Sequence, residues 1–96
     1  MTGMELLKKN RSDIFRIASH YGASNLRVFG SVARGEDNSG SDIDLLVSME
    51  RGRSYFDLVG FWQELEDKLH CKVDVVTDGG ISPYLREHIL SEAKPL

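Results

Sequence analysis

A single cysteine, Cys71, rules out an internal disulfide and fits a reducing compartment. Cys71 sits just before an expected strand and reads as a plain structural thiol. The three histidines, His20, His70 and His88, are too scattered for a metal cluster. No basic excess exists: 12 Lys and Arg stand against 15 Asp and Glu, a formal net charge of −3. A nucleic-acid binder needs a basic patch. Lys8, Lys9 and Arg11 form only a short group, read as a solvated helix face, so there is no strong nucleic-acid signal. No apolar run is long enough to span a bilayer, and the N-terminus has no signal-peptide core, which gives a cytoplasmic expectation. Repeats and low-complexity segments are also lacking.

What remains is 96 residues with 41% hydrophobic and 28% charged content, an ordinary globular composition with room for one domain over 1–96. Ile14, Ile17, Ala18 and Tyr21 recur at helical spacing and predict a helix over 5–21, stopped by Gly22. Leu26, Val28 and Phe29 predict a short strand ended by Gly30. A polar loop over 36–41 precedes a compact apolar strand over 43–47. Ser54, with Asp57 three residues on, opens a helix to residue 69. Its stripe of Leu58, Phe61, Trp62, Leu65 and Leu69 reads as core. A third strand covers 72–77, and Ser82-Pro83 starts a last helix with Tyr84, Leu85, His88 and Ile89 near one face. The pattern predicts an α/β fold with a small mixed β-sheet flanked by helices.

The informative stretch is GSVARGEDNSGSDIDLLV, residues 30–47. Strand alternation puts Asp42 and Asp44 on one face, roughly 6–7 Å apart at Cα, and Ile43, Leu45 and Val47 on the other. Two close carboxylates repel, and a divalent cation between them resolves the repulsion. Oxygen-only ligands favour Mg²⁺ or Mn²⁺ over Zn²⁺. Asp74, in KVDVV, occupies the matching place on the third strand. The helix over 54–69 is long enough to make strands two and three parallel neighbours, so their starts, and the three acids, lie together. An antiparallel first strand would bring Gly30-Ser31 to the same place. Glycine permits close backbone approach, a short helix after Gly30 would offer N–H groups to phosphate, and Ser31 and Arg34 add a hydroxyl and a charge. This is equipment for metal-assisted phosphoryl or nucleotidyl transfer. The acids stand at strand starts, unlike doubly wound dinucleotide folds, which bind at strand C-termini.

The pattern G-S-x(10)-D-x-D with a third Asp on a later strand resembles the nucleotidyltransferase superfamily of DNA polymerase beta. It looks like the minimal branch, the small nucleotidyltransferases of prokaryotic toxin–antitoxin pairs. The resemblance covers essentially the whole chain and implies a polymerase beta-like nucleotidyltransferase fold. It further implies that Gly30 and Ser31 hold the triphosphate of ATP, and that Asp42 and Asp44 bind two Mg²⁺ ions. Asp74 would share the catalytic metal and help activate the acceptor hydroxyl. For Arg34, a phosphate contact and a salt bridge to an acid such as Glu36 both stay open. Larger relatives carry an acceptor-binding domain for which this chain has no residues. The resemblance therefore points to a partner, a HEPN-type ribonuclease toxin, whose tyrosine hydroxyl would receive AMP. The chain would be the antitoxin, in an oligomer with its partner. The alternatives are a non-catalytic module that masks a partner, or a transferase acting on a small molecule or RNA end.

Other polar residues have plainer readings. His20 and His70 sit near helix ends, where a cation suits the dipole. Glu64, Glu66, Asp67 and Lys68 read as an exposed helix face. Arg51 and Arg53 read as solvated loop residues, and Asp37 and Asn38 as shaping a turn.

Overall fold

A computed structural model describes residues 2–38 and 40–96. Ser39, inside the expected loop over 36–41, lies outside the described residues. Two short helices, α1 (Gly3–Lys9) and α2 (Arg11–Tyr21), replace the single helix expected over 5–21. The break falls at Asn10, whose backbone N–H and side-chain amide both bond to the Leu6 carbonyl, the latter at 2.9 Å. An asparagine amide competes for backbone carbonyls in this way, and the turn tightens instead of propagating. Gly22 closes α2 in the left-handed conformation, φ 77°.

Strand β1 (Ala23–Phe29) runs directly into α3 (Gly30–Arg34), followed by β2 (Ile43–Met49), α4 (Tyr55–Leu69), β3 (Val73–Thr77), α5 (Pro83–Glu92) and a two-residue β4 (Lys94–Pro95). The sheet order is β3-β2-β1-β4. β1 is antiparallel to β2 and β4, and β2 is parallel to β3, as the crossover through α4 requires. The sheet is mixed and flanked by helices, in agreement with the sequence; β4 is an element the sequence pattern did not signal.

One sheet face carries the main core. Val28, Ile43, Leu45, Val47, Val73 and Val75 point at Ile14, Ile17 and Ala18 of α2 and at Phe61, Leu65 and Leu69 of α4. The α4 face expected to be solvated is in part sewn down. Lys68 Nζ meets Asp13 at 3.0 Å, the Tyr21 hydroxyl donates to Glu64 at 2.6 Å, and Glu66 accepts the Val73 N–H at 3.0 Å. Leu46, fully buried, lies outside that cluster and shares the face of Asp44 by alternation. Over the described residues of α5 only Ile89 is buried, while Tyr84 is 94% exposed. The helical face anticipated from Tyr84, Leu85, His88 and Ile89 is thus anchored at one point. Among the described residues no helix is long and apolar enough to cross a membrane.

Phe61 is fully buried where α4 meets the sheet. Phe61→Ala is expected to lower the unfolding free energy by about 3–5 kcal/mol. Urea titration followed by circular dichroism measures this as a lower midpoint at unchanged slope.

Candidate active site at the parallel strand starts

Register brings the acids together. Asp44 is the cross-strand partner of Asp74 in the parallel pair and of Phe29 in the antiparallel pair. Asp42 directly precedes β2, and Ile43 N–H bonds to the Lys72 carbonyl at 3.1 Å, fixing the two strand starts side by side. Two α4 side chains hold the outer side of β3. The Trp62 indole N–H donates to the Val73 carbonyl, and Glu66 takes the Val73 N–H. Edge-strand groups that would otherwise need water are satisfied, and the backbone next to Asp74 is pinned. Trp62 and Glu66 therefore position the acid. Neither was expected to: Trp62 reads in sequence as core and Glu66 as solvated.

Gly30 follows Phe29 at the level of Asp44. Its φ is +74°, and a Cβ there would land on the Asp44 carboxylate. Backbone conformation and close approach both demand glycine at this point. Ser31, half-buried, is the second residue of α3, whose end is closed by Gly35.

Arg34 resolves as an ion pair to two acids. Its Nε lies 3.2 Å from Glu36, and its Nη1 lies 3.0 and 3.2 Å from the two oxygens of Glu92. Glu92 Oε1 also accepts the Gly30 N–H at 2.6 Å. That backbone donor, followed by the Arg34 guanidinium, holds the Glu92 carboxyl below the usual carboxylate range. Sequence reasoning missed Glu92. The one local signal is an acid in the last turn of a helix, where the dipole disfavours it.

The site is overloaded with negative charge. Burial pushes the Asp44 carboxyl up to about 6, with Asp74, Asp42 and Glu92 adding to the rise and Arg34 opposing it. Lys72 Nζ reaches Asp42 only at 4.0 Å. An all-oxygen donor set in surplus negative charge fits a hard divalent cation. Among the described residues no three acids are gathered tightly enough to enclose an ion alone. The donor set suits an ion whose coordination a bound phosphate completes.

A mixed sheet with acids at the mouth of a parallel pair and a glycine-opened turn against them is the frame of a nucleotidyl-transferring enzyme. The chain belongs to the nucleotidyltransferase domain family, whose model matches residues 8–96. It is a minimal, MNT-type member with the polymerase beta-like fold. A relative from Methanocaldococcus jannaschii, named "Putative protein adenylyltransferase MJ0435", is 44% identical over 83% of this chain and 86% of its own. A solved structure of a "putative minimal nucleotidyltransferase" is 44% identical, covers 100% of this chain and 97% of its own, and superposes with a TM-score of 0.88. A toxin–antitoxin complex solved with AMP-PNP shares the fold at 23% identity, TM-score 0.75, over 90% of this chain and 71% of that one.

The raised Asp44 carboxyl makes a signed prediction. The folded state binds this proton more tightly than the unfolded chain, whose carboxyl has its ordinary value of 3.8. The folding cost of Asp44 is therefore absent below about pH 4, grows up to about pH 6 and persists above. In metal-free buffer, Asp44→Asn is expected to raise Tm at pH 7.5 and to leave it nearly unchanged at pH 4. Thermal melts of both proteins at the two pH values check this.

Proposed function

We propose that this chain is a Mg²⁺-dependent protein adenylyltransferase that moves AMP from ATP to a hydroxyl, a tyrosine of a HEPN-type toxin, and so acts as the antitoxin. The observation that carries the reading is the register that pairs Asp44 with both Asp74 and Phe29 and sets the Asp44 carboxylate against the Gly30 backbone. The adenylyltransferase name of the archaeal relative supports the choice of AMP and of a protein acceptor. The toxin–antitoxin complex of the same fold supports the choice of partner.

In this reading Gly30 N–H, Ser31 and Arg34 hold the triphosphate. Asp42 and Asp44 would hold two divalent ions, and Asp74 would share one of them. Such ions supply Lewis-acid stabilisation of the attacking and departing oxygens. The acceptor oxygen bonds to the α-phosphorus, the bond from that phosphorus to the bridging oxygen of the β-phosphate breaks, and pyrophosphate leaves. Asp74 receives the hydroxyl proton. The pinning of β3 by Trp62 and Glu66 keeps Asp74 in place for that step. An acceptor-binding surface comes from the partner, which makes the complex the working unit.

Two measurements test this. Isothermal calorimetry should show Mg²⁺ binding weakly alone and more tightly with ATP. The double variant Asp42→Asn, Asp44→Asn should lose more than about tenfold in metal-dependent ATP affinity, because charged contacts are removed. Equal binding in both proteins removes the metal site.

Intact-mass spectrometry of the co-encoded toxin, mixed with this protein, ATP and Mg²⁺, should show mass added in steps of one AMP. Asp74→Asn should still bind ATP and transfer about 10²–10⁴-fold more slowly. If it neutralises the toxin as well as the parent protein does, with no mass change in either case, protection is by masking and the transferase role is wrong.

A further inference from the structure

We propose that Glu92 is a built-in stand-in for a phosphate group, so that the C-terminal turn of α5 holds the nucleotide cradle closed until nucleotide displaces it. The proposal rests on the nucleotide-binding reading of Gly30 and Arg34. Both groups assigned there to the triphosphate are already engaged by one carboxylate. Gly30 N–H donates to Glu92 Oε1 at 2.6 Å, and Arg34 Nη1 grips both oxygens at 3.0 and 3.2 Å. A carboxylate and a phosphate present the same charged oxygens to an N–H donor and a guanidinium. With its side chain only 15% exposed, Glu92 fills this place rather than brushing it.

The contact is made against two local penalties. Glu92 brings a fourth carboxylate to Asp42, Asp44 and Asp74, and its charge acts on Asp44 in the same sense as theirs. It also ends α5, where the helix dipole disfavours an acid, and its neighbour on that helix, His88, stands off at 3.8 Å. Rules broken at one residue mark a place where function overrides stability. Bound metal would neutralise the aspartates, and phosphate oxygens would take over Gly30 and Arg34. Glu92 then loses its Gly30 and Arg34 contacts and keeps only the 3.8 Å approach of His88 Nε2 on its own helix.

The chain has the slack for release. Ile89 anchors α5 on one side. On the other, Leu96 N–H bonds to the Leu26 carbonyl at 3.0 Å, and Arg11 Nε bonds to the Leu96 carbonyl at 2.7 Å. Between these anchors Leu90 and Ser91 are exposed. The last helical turn can open there without disturbing β4. Its reporter is the Ala93 N–H, bonded to the Ile89 carbonyl at 3.0 Å.

The test compares the full-length protein with Glu92→Gln and Glu92→Asp, using Mg²⁺ and AMP-PNP as the probe. Where a latch leaves about a tenth of the molecules competent, removing it tightens apparent affinity about tenfold. Calorimetry should show that gain for Glu92→Gln and a smaller one for Glu92→Asp, which retracts the carboxylate by one methylene. Hydrogen exchange at the Ala93 amide should accelerate when the probe binds the parent protein, and should already be fast in Glu92→Gln. A residue that merely braces the cradle gives the opposite result, unchanged or weaker binding in both variants, and that overturns the latch. Tighter binding by Glu92→Gln with no AMP transfer by any of the proteins supports the latch and removes the transferase reading. Normal transfer with unchanged affinity removes the latch and leaves the enzyme.

Discussion

The approach of Asp44 to the Gly30 backbone is the constraint on which the site depends. The carboxylate occupies the space a Cβ at position 30 would need, and the left-handed φ of Gly30 turns the chain from β1 into α3 at that level. Antiparallel register then sets Phe29 against Asp44, and parallel register sets Asp44 against Asp74. A slip of one residue in either pairing would turn the acids to the opposite face. The buried row of Ile43, Leu45 and Val47 prevents that slip, because the same slip would expose the core.

The acids are therefore held by packing, against their own electrostatics. Main-core residues contribute no charge to the site. Asp44 is half-buried beside two further aspartates and Glu92, with Arg34 already committed to Glu36 and Glu92. Hydrophobic burial on the α2/α4 side makes an arrangement tolerable that the carboxylates alone would reject. A cation and a phosphate chain would each relieve part of the same strain, which couples their binding in one direction: each makes room for the other.

The parts visible in sequence were those carried by local period and spacing. Alternation in IDLLV gave the face of Asp44, the capping pair Ser54 and Asp57 gave the start of α4, and the length of that helix implied the parallel pair. The Asp57 carboxylate accepts the Ser54 N–H at 3.0 Å, as the motif implies. What was hidden depends on partners far along the chain. Glu66 looks solvated until Val73 folds back beside it, and Glu92 looks misplaced until Gly30, 62 residues earlier, supplies its donor. Asn10 hid for a different reason: its side chain competes with a helix that the apolar spacing alone would continue. The stripe on α5 misled because helical spacing specifies a face without specifying that anything covers it.

The two faces of the sheet are unequal, and this sorts the molecule's tasks. On the α2/α4 side, large apolar residues, the Lys68–Asp13 pair and the two clamps on Val73 fix where the strands begin. On the other side α5 is tied through Ile89 and through the contacts of Glu92. Elements with few buried apolar contacts open at low free-energy cost, while the packed core opens only with the whole domain. The geometry a phosphoryl-transfer site must keep rigid is thus built on the first face, and the closure it must be able to lose is built on the second. A lid must open at low free-energy cost. Spending one helix lightly on the open face is a way to obtain one from the same core.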